Sequence, residues 1–151
     1  MQIFVLDKDP TLAAQFHCDK HVLSQIVEAT QLLCSVYPPG TAPYKRTHYN
    51  HPSAVWTRTS QQNFDWLVRL ACALLNEYCI RYGKIHKTSE VIDWILHHNP
   101  SLPCTGLTDF PQCMPEECRI PGSYVEAYRK YYMDEKAAFA TWKTNKPYWW
   151  I

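Results

Sequence analysis

Two long stretches of this sequence repeat their apolar residues at the period of an α-helix, and this periodicity limits the chain to a mainly helical fold. The first covers residues 10–36 and stops at Pro38-Pro39-Gly40, a combination that ends helices. The second covers about residues 60–82 and is followed by Gly83 in the position of a C-cap. Weaker patterns predict three more helices, over residues 54–57, 89–98 and 123–142. We therefore predict an all-α (mainly) fold, a compact helical bundle with a short extended N-terminus.

Residues 99–122 cannot form a regular element, because five prolines interrupt them. A loop of this length is uncommon in a compact domain, so we expect this Pro-rich segment either to have a function or to wrap onto the surface. The chain has 151 residues, the length of one domain with a core of its own. We expect a single domain over residues 1–151.

The composition excludes several classes of protein. Hydrophobic residues make up 46% and charged residues 19% of the chain, which is too apolar for a disordered protein. The first residues lack a basic stretch followed by an apolar one, and no apolar run is long enough to span a membrane. Seven cysteines, an odd number, favour free thiols in a reducing compartment. We expect an intracellular, cytoplasmic protein with no membrane partner.

The first long helix carries an unusual set of polar residues on one face. At 100° per residue these side chains fall within about 80° of arc, and they are His17, His21, Ser24, Glu28 and Gln31. Histidine and glutamate are the usual partners in general acid–base catalysis. The alternative is an ordinary solvated face, which most amphipathic helices have. We predict His17, His21 and Glu28 as catalytic residues.

The same histidines permit a second interpretation, in which they bind a metal. His17 and His21 are four residues apart, a spacing at which two imidazoles on a helix can share one Zn²⁺. However, Cys18 follows the first histidine where zinc-protease helices have glutamate. A second possible zinc site has irregular spacing and consists of His97, His98, Cys104, Cys113 and Cys118. We predict no metal and no cofactor, and a metal-assisted site is the alternative.

The net charge of +1 conceals local positive segments. No acidic residue lies between Glu28 and Asp65 or after Glu135, and both segments combine lysine or arginine with aromatic residues. A smaller basic cluster follows Gly83. Positive side chains suit DNA phosphates and exposed aromatic rings suit stacked bases, whereas the alternatives are solvated loops and rings that pack on the core. We predict that the residues that contact nucleic acid are Lys45, Arg46, His48, Asn50, His51, Arg58, Lys84, Lys143, Trp149 and Trp150.

Several short segments resemble those of known proteins. The opening Ile3–Pro10, followed by His17–His21, resembles a group of small phage-encoded proteins of uncertain function. More distantly, four segments spread over most of the chain are similar to the pyrimidine-dimer DNA glycosylases of the endonuclease V type. They are Val27-Glu28-Ala29 with Leu32-Leu33, Tyr49-Asn50-His51-Pro52 with Trp56 and Arg58, Arg81-Tyr82-Gly83-Lys84-Ile85, and Glu135-Lys136 with Lys146-Pro147-Tyr148-Trp149.

This resemblance implies a compact all-α enzyme that acts on DNA. Members of the family use the N-terminal amine as nucleophile and a glutamate on the first long helix, which implies these roles for the Met1 amine and Glu28. The sequence also departs from the family pattern. Val27 stands where the family has arginine, and the family has no histidines that match the two on the first helix. Because Gln2 is bulky, we expect Met1 to be retained.

The residues and the resemblance together lead to one function and two alternatives. We predict a DNA glycosylase and AP lyase that acts on a damaged or modified pyrimidine through the N-terminal amine and Glu28, with DNA or a nucleotide as partner. The first alternative is an enzyme that uses His17, His21 and Glu28 on a nucleotide or a modified base. The second is a non-catalytic phage accessory protein that binds nucleic acid or protein. The sequence leaves the oligomeric state open.

Overall fold

The computed structural model describes residues 1–151. It contains six α-helices and one short 3-10 helix, with no β-strand, which confirms the mainly helical fold. The α-helices are α1 (Pro10–Phe16), α2 (Asp19–Cys34), α3 (Pro52–Thr59), α4 (Gln61–Tyr82), α5 (Ser89–His97) and α6 (Tyr124–Glu135), and the 3-10 turn covers Glu116–Cys118. None of these helices combines the length and the apolar character that a membrane crossing requires.

Local sequence signals set several helix boundaries where the pattern predicted them. Pro10 is the first residue of α1, and the Asp9 carboxylate accepts a 2.8 Å hydrogen bond from a backbone N–H of the first turn. Ser60 caps α4 in the same way, because its hydroxyl oxygen accepts from the Asn63 N–H at 3.0 Å. Gly83 ends α4 in the left-handed region at φ 68°, where glycine has no steric penalty. The predicted extent of α4 is therefore confirmed.

The first long helix is in fact two helices, so its predicted continuity is wrong. The chain leaves the helical conformation at His17 and Cys18, the α1–α2 junction, where the ψ angles are 133° and 161°. The buried guanidinium of Arg81 on α4 donates to the backbone oxygens of Gln15 and His17 at 2.9 and 2.8 Å. It also pairs with Asp19 at the start of α2, at 3.1 Å. Apolar periodicity could not reveal the break, because α1 and α2 both pack against α4.

The last helix is shorter than its pattern predicts. It ends at Glu135 rather than near Trp142. The chain then turns back to the first helix, where the Trp142 indole N–H donates to the backbone oxygen of Phe16 at 2.9 Å. The backbone oxygen of Thr141 accepts from the N–H of Asp19 at 2.7 Å. These contacts with α1 and α2 take the place of the helical hydrogen bonds that the sequence pattern predicted.

The extended N-terminal segment runs through the core. Ile3–Leu6 are all buried within one cluster of 32 buried apolar residues. Phe4 stacks on His21 of α2 with ring centroids 4.4 Å apart, and it meets the Tyr132 ring of α6 edge-on at 5.3 Å. A segment packed this closely has little freedom, so it holds the first residue of the chain against α2.

The Pro-rich segment lies against α3 and α4. The Phe110 ring packs on the rings of Trp56 and Trp66, with centroid distances of 4.5 and 4.6 Å. Asn63 of α4 binds Thr108 twice, because its amide group donates to Oγ1 at 2.8 Å and its carbonyl oxygen accepts from the backbone N–H at 2.9 Å. The segment therefore wraps onto the helices, which is one of the two roles that its length predicted.

Candidate active site

The N-terminal amine and the carboxylate expected to act with it lie next to each other. The Met1 nitrogen is 3.2 Å from Oε1 of Glu28. The Met1 side chain is 5% exposed and the Glu28 side chain 29%, so the pair lies at the edge of the protein interior. Gln25, one turn earlier on α2, donates from Nε2 to Oε2 of Glu28 at 3.0 Å. Both carboxylate oxygens therefore have a partner that fixes their orientation.

A polar cavity of about 180 Å³ opens beside this pair. Its walls come from the N-terminal segment, from α2 and from the residue that follows α6. The residues that line it are Gln2, Phe4, His21, Ser24, Gln25, Glu28 and Lys136. Glu28 thus faces the polar cavity and contacts the Met1 amine at the same time. A group bound in the polar cavity would meet the carboxylate that holds the amine.

His21 lines the polar cavity and is uncharged near pH 7. Burial lowers its pKa to about 3, and the charges of His17, Lys136 and Lys20 contribute to this shift. Burial also raises the pKa of Tyr132 well above its ordinary value, so its hydroxyl keeps its proton. Because this oxygen already accepts from the backbone N–H of Cys18, we assign it as the donor to Nδ1 of His21, which lies 2.6 Å away. The remaining ring nitrogen, Nε2, therefore carries the proton of the neutral imidazole. His21 can donate a hydrogen bond to a bound group but cannot act as a general acid near pH 7.

His17 does not share a helix face with Glu28, so the predicted arrangement of these residues is wrong. The side chain is fully buried, and Nδ1–H donates to the backbone oxygen of Ala13 at 2.6 Å. Burial lowers the pKa of His17 to about 4; the bond to Ala13 opposes this shift, and the charge of Arg81 adds to it. The residue does not line the polar cavity. The α1–α2 junction turns it toward the core instead.

Neither of the two alternative metal sites is assembled. No group of three or more His, Cys, Asp or Glu side chains lies close enough together to hold a metal ion. In the second set, Nδ1 of His97 and Nδ1 of His98 each bond to a backbone carbonyl of their own helix. Cys118 is buried, with its sulfur 3.9 Å from the Asp134 carboxylate. All seven cysteines are free.

The basic window, residues 44–58, arranges two arginines around one ring. The guanidinium carbons of Arg46 and Arg58 lie 4.1 and 3.8 Å from the centroid of the Tyr49 ring. Arg46 also donates to the backbone oxygen of Tyr37, and Arg58 donates to that of Tyr49, both at 2.6 Å. Cation–π contact and these bonds hold both guanidinium groups in place. Neither guanidinium group forms an ion pair with a carboxylate of the protein.

His51 connects the basic window with the N-terminal amine. It precedes the first residue of α3, and its Nδ1 accepts from the N–H of Ser53 at 3.1 Å. Partial burial lowers the pKa of His51, and the positive charges of the N-terminal amine and His48 lower it further. The charge of the Met1 amine therefore acts on His51 of the basic window. Lys45, His48 and Asn50 are exposed on this window.

The four remaining residues predicted to contact nucleic acid do not line the polar cavity. Trp149 and Trp150 are half-buried. The first packs on a ring of α1 with centroids 6.0 Å apart, and the second packs on Trp142 at 4.8 Å. Their rings are engaged with the protein itself, which corrects the expectation of free stacking surfaces. Lys84 and Lys143 are exposed.

Several residues of the site were not predicted, among them Gln25, Tyr132 and Lys136. Gln25 stands three residues before Glu28 on one helix, so helical spacing could have identified it as a partner of the carboxylate. Tyr132 belongs to α6, and Lys136 is the residue that follows it. No local signal in the sequence places either of them beside α2.

A known protein family matches the first part of this chain. The family model described as pyrimidine dimer DNA glycosylase matches residues 1–91. The matched range includes the Met1 amine, Glu28, His21 and the basic window, and it ends before α6 and the C-terminal residues. No curated protein and no solved structure matches the chain.

Proposed function

The chain belongs to the pyrimidine dimer DNA glycosylase family, and from this premise we propose that it removes a damaged or modified pyrimidine from DNA through the Met1 amine and Glu28. The observation that carries the proposal is the 3.2 Å contact between the Met1 nitrogen and Oε1 of Glu28. An amine beside a carboxylate combines a nucleophile with a base that can take its proton.

Base removal proceeds as a displacement at C1′ of the damaged nucleotide. Glu28 takes a proton from the ammonium group, and the freed lone pair of the Met1 nitrogen forms a bond to C1′. The bond from C1′ to N1 of the pyrimidine breaks with its electron pair on the base, which takes up a proton. Loss of a second proton from the nitrogen and opening of the sugar ring, with a proton delivered to O4′, leave a protonated imine.

The same imine supports strand cleavage. A protonated imine at C1′ makes the C2′ proton acidic, and removal of that proton expels the phosphate from C3′ as a C2′–C3′ double bond forms. Glu28 lies beside the nitrogen and is the base that we assign to this step. Its carboxylate also stabilises the positive charge that develops on the sugar. The proposed activity therefore combines a glycosylase with an AP lyase.

His21 serves in this scheme as an uncharged donor. Its Nδ1 is taken by the Tyr132 hydroxyl, so Nε2–H is the only ring N–H left for a bound nucleotide. A neutral donor binds oxygen atoms of a sugar or a base without repelling the positive charge of the imine. His17, buried outside the polar cavity, has no part in the proposed reaction.

The basic window provides the DNA contacts of this proposal. Arg46 and Arg58 are held in fixed directions by Tyr49 and by backbone carbonyls. Guanidinium groups fixed in this way bind phosphate oxygens with a smaller loss of side-chain entropy than free ones. They are joined by Lys45, His48 and Asn50, which are exposed, and by His51, which is half-buried. Because the charge of the Met1 amine acts on His51, we expect these contacts to position the damaged nucleotide at the nucleophile.

Borohydride trapping tests the proposed nucleophile. The protein is incubated with a duplex that contains a cyclobutane pyrimidine dimer and, separately, with one that contains an abasic site. Borohydride then reduces the imine to a stable amine, and mass spectrometry locates the adduct. We expect the adduct on the α-amine of Met1. A variant with one alanine inserted before Met1 moves the amine away from Glu28 and should lose most of the adduct while it keeps its circular dichroism spectrum.

The outcome separates the proposal from its alternatives. An adduct on a lysine side chain, or a folded protein that forms none, contradicts the assignment to the Met1 amine. Binding of the damaged duplex without any adduct or base release favours the non-catalytic nucleic-acid-binding protein. Base release that persists in the alanine-insertion variant favours a hydrolytic enzyme built on Glu28 instead.

A further inference from the structure

Lys136 is a half-buried cation of the polar cavity that has no acidic partner. It directly follows α6 and lines the polar cavity together with Glu28. No carboxylate lies within ion-pair distance of it, because none of the ion pairs of the protein includes this residue. Lys130 on the same helix differs, since its ammonium group is 2.6 Å from the Asp134 carboxylate. A partly desolvated ammonium group without a counter-charge favours binding of an anion.

Aromatic rings hold this ammonium group at the cavity wall. Nζ of Lys136 lies 4.7 Å from the centroid of the Tyr131 ring. Tyr131 stacks on Phe4 with centroids 6.0 Å apart, and Phe4 stacks on His21 at 4.4 Å. Phe4 and His21 are themselves buried and line the polar cavity. The ammonium group of Lys136 therefore lies on a continuous series of packed rings that ends at the wall of the polar cavity.

The other charged groups of the polar cavity are already neutralised. The Glu28 carboxylate contacts the Met1 amine through one oxygen and the Gln25 amide through the other. His21 is uncharged near neutral pH. The Gln2 amide nitrogen is buried in the wall without a hydrogen-bond partner. The polar cavity thus contains one positive charge without a counter-charge, a combination that suits a phosphate group.

We propose that Lys136 binds the backbone phosphate next to the sugar that the Met1 amine attacks, an inference that rests on the proposed function. The polar cavity places the ammonium group and Glu28 around one small volume, so a phosphate held by Lys136 would set the neighbouring C1′ beside the amine. Lys136 is in this sense a positioning residue. It lies outside the part of the chain that the family model matches.

A purely structural role makes a different prediction. A lysine just after a helix also neutralises the negative end of the helix dipole, and α6 ends at the preceding residue. Under that role, loss of the charge lowers the stability of the protein and leaves the salt dependence of DNA binding unchanged. Under phosphate binding, loss of the charge removes one phosphate contact and lowers the slope of log Kd against log salt by about one.

Salt-dependent binding to an unreactive duplex is the test. The duplex carries a tetrahydrofuran analogue of an abasic site, which cannot form an imine, and fluorescence anisotropy gives Kd across a range of KCl concentrations. The variants are Lys136→Gln, Lys136→Met, Lys136→Arg and the matched control Lys130→Gln. We expect the first to weaken binding roughly tenfold and to lower the salt slope by about one. We expect Lys136→Arg and Lys130→Gln to bind as the wild type does.

Three outcomes overturn the proposal. The first is an unchanged Kd and salt slope for folded Lys136→Gln. The second is a loss of fold in both Lys136→Gln and Lys136→Met, which assigns the residue a structural role. The third is a borohydride adduct on Lys136, which makes it a nucleophile. Because binding to the analogue needs no chemistry, a wild-type protein that binds through Lys136 but forms no adduct contradicts the proposed function and keeps this inference.

Discussion

The hydroxyl group of Tyr132 donates a 2.6 Å hydrogen bond to Nδ1 of His21. Tyr132 is completely buried and also accepts a bond from the backbone N–H of Cys18 at 3.3 Å. This contact joins α6 to the α1–α2 junction and to the wall of the polar cavity. It also determines which nitrogen of the imidazole carries the proton, and so whether His21 offers a donor or an acceptor to a bound group.

Removal of this hydroxyl group should destabilise the protein. In Tyr132→Phe the buried Nδ1 of His21 loses its donor, which costs about 1–3 kcal/mol of the free energy of unfolding. Urea unfolding measures the loss. Tyr131→Phe, which removes a hydroxyl from the neighbouring residue without an internal hydrogen bond, is the control and should change stability by less than about 0.5 kcal/mol. Equal effects of the two substitutions would show that the bond to His21 contributes nothing.

Glu28→Gln should lower the rate of base release by about 10²–10⁴-fold, because an amide cannot take the ammonium proton. Glutamine has nearly the same size and still accepts a hydrogen bond, so the variant should fold as the wild type does. Single-turnover formation of alkali-labile strand breaks in a dimer-containing duplex measures cleavage of the C1′–N1 bond, because the freed base stays joined to its neighbour through the cyclobutane ring. Glu90→Gln, which changes an exposed residue of α5, should react at the wild-type rate. A rate within threefold of wild type for the first variant would remove Glu28 from the mechanism.

Arg81→Met should be among the most destabilising substitutions of the chain. Its buried guanidinium pairs with Asp19 and with Glu77, whose side chain is only 3% exposed. Removal of the arginine leaves that carboxylate buried without a counter-charge, which costs about 3–5 kcal/mol. Urea unfolding is again the measurement, and Arg69→Met on the exposed side of α4 is the control. A loss below 1 kcal/mol would contradict the importance of this contact for the α1–α2 junction.

The stability of the protein should fall as the pH drops from about 6.5 toward 4. Burial lowers the pKa of His17 to about 4 and that of His21 to about 3, whereas histidine in an unfolded chain titrates near 6.5. Between these values the unfolded chain binds more protons than the folded one, so the free energy of unfolding rises with pH. Urea unfolding at several pH values measures this dependence. It should be shallower in His17→Gln than in wild type and unchanged in His97→Gln, whose imidazole is exposed. Parallel curves for all three proteins would be evidence against the lowered pKa of His17.

Trp149→Ala should affect stability more than DNA binding. Because the ring packs on the protein rather than into solvent, its loss should lower the free energy of unfolding by roughly 1–3 kcal/mol. The affinity of the folded variant for the tetrahydrofuran duplex should stay within twofold of wild type. Tyr148→Ala removes an exposed ring and is the matched control for stability. A large loss of affinity in a fully stable Trp149→Ala protein would restore the stacking role that the sequence predicted.

The sequence predicted those elements of the fold that depend on neighbouring residues. The span of α4 follows from its apolar period, the Ser60 cap and the Gly83 stop, all of which act over one helical turn. No local sequence signal predicts that the Met1 amine pairs with Glu28. Only the resemblance to the family suggested this pairing. The spacing of apolar residues predicts which face of a helix is buried. It does not predict which extended segment packs on that face.

The chain by itself determined the helical class, most helix ends and the candidates for nucleophile and base. Tertiary structure alone decided that the helix breaks at His17, that His21 is neutral, and that Lys136 and Glu28 line one cavity. The physical reason is the range of the forces. Caps and periodicity act within about four residues, whereas burial and ion pairing depend on partners brought together by folding, such as Arg81 with Asp19 and Tyr132 with His21.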